Sequence, residues 1–196
     1  MPASLLDAYL ADLPDGLSSH PGCKAKVSVL RSALDVLEVE ADPSWPEPIR
    51  ELIEEPPPMS VWIPEVLNVG AHLAIVDANH MDDDAVIDWG YRSNQRLAQS
   101  KLYRVLTHLA TPPLLLRAAR LSWTVLHRGV DVAVSLDGDK TATVSVTHPP
   151  HVWTELVHRS TAQGFQAALE ISQGEAVEVQ IEDLSATHCD YRCSWT

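Results

Sequence analysis

Three histidines, His148, His151 and His158, fall within one short stretch that also carries Glu155. Glu155 follows His151 by four residues, a spacing that on a helix puts an imidazole and a carboxylate on one face and suits acid–base work or a metal. The order His151-x-x-x-Glu155-x-x-His158 differs from the zinc-protease pattern, in which two histidines stand four apart with glutamate directly after the first. No nucleophile elbow, phosphate loop or dinucleotide fingerprint accompanies it, so the cluster reads as a polar helix face. Asp82-Asp83-Asp84 lacks the spacing and glycine of a calcium loop. Its carboxylates suit the positive end of a following helix instead. Cys23, Cys189 and Cys193 offer no four-ligand set for zinc. Cys189 and Cys193 sit about 13 Å apart at the rise of an extended chain, too far to pair. No catalytic residue and no metal ligand is expected.

The elements that position these residues are clearest from Val130 to Trp195. Val130, Val132, Val134 and Leu136 alternate with polar or small residues, and Ala142, Val144 and Val146 do so again beyond Asp137-Gly138-Asp139, the pattern of a hairpin. An amphipathic helix over residues 151–173 follows Pro149-Pro150 and closes at Gly174. Val177, Val179 and Ile181 then mark a third strand. The last strand sets Cys189, Tyr191, Cys193 and Trp195 on one face. Phe165, with Leu156 and Leu169, should pack that helix on the sheet. Trp195 precedes only Thr196, so its indole is either covered by the helical half or open to a partner.

The preceding chain reads as helices. Leu5, Leu6, Tyr9, Leu10 and Leu13 share a helical face, as do Val27, Leu30, Leu34 and Leu37 in a helix running from Lys24 to about Ala41. A third helix spans residues 46–54, and Pro56-Pro57-Pro58 is a stiff connector. Ser60 should cap a helix with Pro64 in its first turn that continues to about His80, and another follows the three aspartates. Residues 101–110 and the stretch after Pro112-Pro113 are helical too, the latter carrying Trp123 and running into Val130 past Gly129. The fold class is therefore α+β: a helical half, residues 1–110, leading into a helix and a strand-strand-helix-strand-strand unit over residues 111–196, all in one domain.

The chain has 196 residues, 45% of them hydrophobic, enough for a substantial core. With 14 Lys+Arg against 27 Asp+Glu, its net charge of −13 disfavours nucleic acid and anionic membrane surfaces as partners. No basic, apolar leader opens the chain and no apolar run reaches membrane-span length. An odd number of cysteines points to a reducing, cytoplasmic setting.

Gly16-Leu17-Ser18-Ser19-His20-Pro21, Glu54-Glu55-Pro56-Pro57-Pro58, Trp62-Ile63-Pro64-Glu65, Leu102-Tyr103-Arg104-Val105-Leu106, His127-Arg128-Gly129 and Tyr191-Arg192-Cys193-Ser194-Trp195 resemble a paralogous family abundant in myxobacteria. None of these motifs is a catalytic signature. More distantly, the element order is similar to the superfamily of heme nitric-oxide-binding domains, vinyl-reductase-type ligand-sensing domains and vesicle-tethering subunits. That resemblance implies a binding or assembly module, with a buried cavity that in the superfamily holds a heme, a small effector or an acyl chain. The heme-binding members share a proximal histidine and a Tyr-x-Ser-x-Arg signature. The nearest string here is Tyr91-Arg92-Ser93-Asn94-Gln95, with Gln95 in the arginine position, and His108 is the best-placed histidine. No cofactor is expected from so incomplete a set. The leading expectation is a non-catalytic regulatory module acting through a protein partner or self-association. The alternative is a sensor holding a small apolar ligand in a cavity between helices and sheet. Trp123, Phe165, Tyr191 and Trp195 are the candidate ligand or interface residues under either reading.

Overall fold

A computed structural model describes residues 4–100 and 111–196. The expected helix over residues 101–110, with His108 and the Leu102–Leu106 motif, lies outside the described residues, as does the start of the chain.

Helix α1 (Leu5–Asp12) is capped twice. The Ser4 hydroxyl accepts from Asp7 N–H, and the amides of Leu5 and Leu6 donate to the Asp77 carboxylate from a distant helix. An anion at a helix N-terminus satisfies its free N–H groups and complements its dipole. The expected helix from Lys24 divides in two. Lys24–Lys26 is a short strand, β1, and only Val27–Leu34 is helical, α2. Helix α3 (Glu47–Glu54) follows, then strand β2 (Trp62–Pro64) and helix α4 (Glu65–Ala78). Pro64 thus stands just ahead of the helix rather than within its first turn, because Trp62–Pro64 is drawn into pairing with β1. Helix α5 (Asp83–Gln99) begins with the Asp82 carboxylate accepting from Ala85 N–H, which gives the first of the three aspartates a capping role.

Helix α6 (Pro112–Leu126) leads into a two-residue strand, β3 (His127–Arg128). Between β3 and the main sheet, Gly129 turns the chain at φ +71°. A side chain there would be strained and would meet Cys23 Sγ and Gly22 O at 2.9 Å. Strands β4 (Asp131–Leu136), β5 (Thr141–Thr147), β6 (Glu178–Leu184) and β7 (His188–Ser194) form an antiparallel sheet in the order β4-β5-β7-β6. Ala142, Val144, Val146, Cys189, Tyr191 and Cys193 are wholly buried along one face of the central pair. This is the α+β arrangement that the alternation of valines indicates.

Helix α7 (Glu155–Ile171) packs against β6 and β7 and against α5. It starts later than expected, because His151 takes a left-handed φ of +63° and Thr154 is the residue that caps. Its end is also displaced. Gln173 is the left-handed residue, and Gly174 N–H donates to Leu169 O at 3.0 Å, a six-to-one closure that sets glycine one position further on. At Gly90 and Gly164, helices α5 and α7 touch so closely that a Cβ would fall 2.5 Å from Ser160 Oγ and 2.9 Å from Asn94 Oδ1.

Trp195 is only 7% exposed and joins the core. Its amide donates to Lys140 O, and that of Thr196 to Glu175 O, so this end of the chain is tied into the sheet. The open, partner-facing position considered for the indole is therefore corrected to a covered one. The three cysteines are free and buried.

Candidate functional site

A second, smaller sheet decides where the chemistry gathers. Its order is β2-β1-β3, with Ala25 at the centre opposite Ile63 on one side and His127 on the other. Glu65, the first residue of α4, leaves β2 directly, and His127 lies in β3. A three-residue strand thereby joins two groups that are 62 positions apart. His127 Nδ1 lies 3.0 Å from Glu65 Oε2, and Trp153 Nε1 donates to Glu65 Oε1 at 3.0 Å. Glu65 is 1% exposed. Burial pushes its carboxyl upward, but the charge and hydrogen bond of His127, the Trp153 hydrogen bond and the charge of His72 outweigh this and hold it below the usual carboxylate range.

Glu65 lines a cavity of about 260 Å³. Helices α4, α5, α6 and α7 supply most of its walls, with Val29 of α2, Trp153 and two strand residues, His127 of β3 and Val144 of β5. It is thus more a space among helices than between helices and sheet. Trp89, Trp123, Trp153 and Phe165 give it aromatic walls, and Asn68 and His72 carry its polar lining along α4 from Glu65. Trp123 is fixed by donation from its Nε1 to Val130 O at 2.8 Å, and it stacks on the His127 ring at 4.6 Å between centroids. His72 Nδ1 lies 2.8 Å from Asn68 O, and burial pushes its ring below the usual histidine range.

Of the four candidate residues, Trp123 and Phe165 line this cavity. Tyr191 and Trp195 belong to the core beneath it, with Phe165 edge-on to Tyr191 at 5.1 Å. The Tyr191 hydroxyl meets His158 Nδ1 at 2.7 Å, His158 Nε2 meets His148 Nε2 at 2.9 Å, and His148 Nδ1 meets Pro149 O at 2.9 Å. With both rings neutral, one proton arrangement satisfies the whole row. Tyr191 donates to His158, His158 to His148, and His148 to the carbonyl. Burial, with His148 and His188 nearby, pushes the His158 ring down to about 3. Two of the three clustered histidines are therefore part of a buried structural network, not the polar helix face that spacing suggests. His151 sits apart, exposed in the turn.

Sequence reasoning passed over Glu65, Asn68, His72 and His127. One signal was present: Glu65, Asn68 and His72 recur at spacings of three and four along a helix face otherwise made of Val66, Val69, Leu73 and Val76, where polar residues need partners.

The mixed fold just described, helices followed by an antiparallel sheet, is that of the H-NOX domains. No family model matches the chain, and no curated protein matches it. Among solved structures, it is similar to an H-NOX protein from S. oneidensis in the Fe(II)NO ligation state, at 14% identity and a TM-score of 0.60, over 87% of this chain and 99% of that one. An Fe(II) unliganded H-NOX protein from K. algicida is similar at 12% identity and a TM-score of 0.56, covering 87% and 96%. An oxygen-binding H-NOX domain related to soluble guanylate cyclases follows at 4% identity and a TM-score of 0.57, covering 86% and 92%. At such identities the likeness establishes the fold, and it supports the more distant of the two resemblances.

The leading expectation, a module acting through protein contacts alone, is corrected by this comparison. The similar structures include an oxygen-binding H-NOX domain and one in the Fe(II)NO ligation state, and an aromatic-walled cavity lies among the helices here, which favours the small-molecule alternative.

A heme does not fit what the described residues offer. The cavity is smaller than the roughly 300–1,000 Å³ of drug-sized ligand sites. The heme carboxylates would meet no lysine or arginine among the described lining residues, whose one acid is Glu65. The Tyr91–Gln95 string brings Ser93 and Asn94 to the cavity wall but has no arginine there to offer. It lies along α5, where the Tyr91 hydroxyl bonds Glu170, Gln95 donates to Tyr91, and Ser93 bonds Trp89 O.

Proposed function

We propose that this protein is a small-molecule-binding sensor module that holds its ligand in the cavity among α4, α5, α6 and α7. The observation that carries the reading is that cavity: about 260 Å³, mostly apolar, with four aromatic side chains and with Glu65, Asn68 and His72 of α4 among its polar lining. Concave, apolar sites with a few convergent polar groups are the usual form of small-ligand pockets. The likeness to H-NOX domains supports the same reading, since the fold places helices around an interior space. The module works by binding rather than by turnover. Its acidity keeps it off nucleic acid, and no described helix is long and apolar enough to cross a membrane. Membership of the myxobacterial family, a cytoplasmic setting and a protein partner that reads the bound state complete the proposal.

Trp123→Ala and Phe165→Ala probe the walls. Thermal shift of the purified chain against a panel of small aromatic and aliphatic compounds should reveal stabilising ligands, and their effect should fall in either variant. A panel with no stabilising member, together with native mass showing no retained small molecule, would count against the reading.

A further inference from the structure

On α4 the cavity meets a run of acceptors, while its other small polar side chains, Ser93, Asn94, Ser122, Ser160 and Thr161, stand on α5, α6 and α7. Glu65, Asn68 and His72 follow one another along a single face of α4, and all three line the cavity. Glu65 receives two hydrogen bonds, from His127 and Trp153, whereas a carboxylate offers about four acceptor positions. Asn68 is 5% exposed, and its Oδ1 is buried without a hydrogen-bond partner. Its backbone carbonyl is taken by His72, so the side-chain oxygen remains the open acceptor. A buried acceptor without a donor bears its whole desolvation cost, which a donor brought by a ligand would relieve. No lysine or arginine stands among the described residues of the wall to do so.

We propose that the α4 wall of the cavity takes the head of an apolar small molecule bearing a neutral O–H or N–H donor, and that it discriminates against carboxylates. The inference rests on the reading of the cavity as the ligand site and adds the chemical class. Apolar walls of Trp89, Trp123, Leu116 and Phe165 take the body of the ligand, while Asn68 Oδ1 and the Glu65 carboxylate take the donor. A carboxylate head would meet an ionised acid and an open acceptor, both repulsive to it.

The test is calorimetric titration of the full chain with three probes that share one body: para-butylphenol, butylbenzene and para-butylbenzoate. The phenol should bind about tenfold more tightly than butylbenzene, the gain of one buried hydrogen bond. The benzoate should be the weakest of the three. In Asn68→Leu, the advantage of the phenol over butylbenzene, both measured on that variant, should drop several-fold. Should that variant fail to fold, the ranking on the unaltered chain decides. If butylbenzene binds and the phenol gains nothing, or if the benzoate binds best, the donor-head assignment is overturned while the cavity remains a ligand site. If none of the three binds, both readings fall together.

Discussion

Acidification should unfold this protein earlier than its carboxylates alone would require, because a histidine is held neutral in the core. His158 is 1% exposed, and its ring is pushed down to about 3 from an ordinary 6.5. Between those values the unfolded chain takes up a proton that the folded one does not, so stability rises with pH across that interval. The contribution is present above about pH 6.5 and is lost as pH falls from there toward about 3. For one such site the loss between about pH 7.5 and about pH 5 is about 2 kcal/mol. Burial lowers His148 and His72 as well, which adds in the same direction. Urea denaturation at a series of pH values gives the slope directly, and NMR of the imidazole protons gives the His158 titration. Replacing His158 by phenylalanine leaves the Tyr191 hydroxyl without its acceptor and lowers stability at neutral pH. The same change should flatten the slope between about pH 5 and about pH 6.5. A stability that stays level from about pH 7.5 to about pH 5, or a His158 that titrates near its ordinary value in the folded state, would refute the reasoning.

Glu65→Ala should cost about 3 kcal/mol or more in denaturant unfolding, since it strips the acceptor from His127 and Trp153 in the core; a cost under about 1 kcal/mol would mean the pair is not held as described. Gly129→Ala should destabilise by more than about 1 kcal/mol, because φ is +71° and a Cβ would press on Cys23 and Gly22. An unchanged melting temperature would contradict that geometry. Trp195→Ala should cost about 3–5 kcal/mol as a core truncation. If sedimentation showed altered association with unchanged stability, the indole would belong to an interface after all.

The alternation of Val132 and Val134 with their neighbours, and of Ala142, Val144 and Val146 with threonine and serine, determined the β4–β5 hairpin. A strand with one buried face must repeat every second residue. Helical spacing likewise gave α1, α4 and α7, and the three aspartates marked the capped start of α5, whereas the Thr154 cap of α7 was not read from the spacing. Strand β1, with three residues, and β3, with two, are too short to carry any period, so Lys24–Lys26 was absorbed into a helix and His127–Arg128 into a helix end. That small sheet is nevertheless what brings Glu65 to His127. Only the packing of α4 against it shows that the acid is buried and bonded twice. The histidines show the same division. Their spacing along the chain suggested a surface row, but His148 lies beyond β5 and His158 on α7, and they meet only because the helix folds back over Tyr191. A cavity has no local signature, since its walls come mainly from four helices and each contributes residues that look like ordinary core. Its place follows from how those helices cross, which depends on contacts such as Gly90 on Ser160 that no single segment contains.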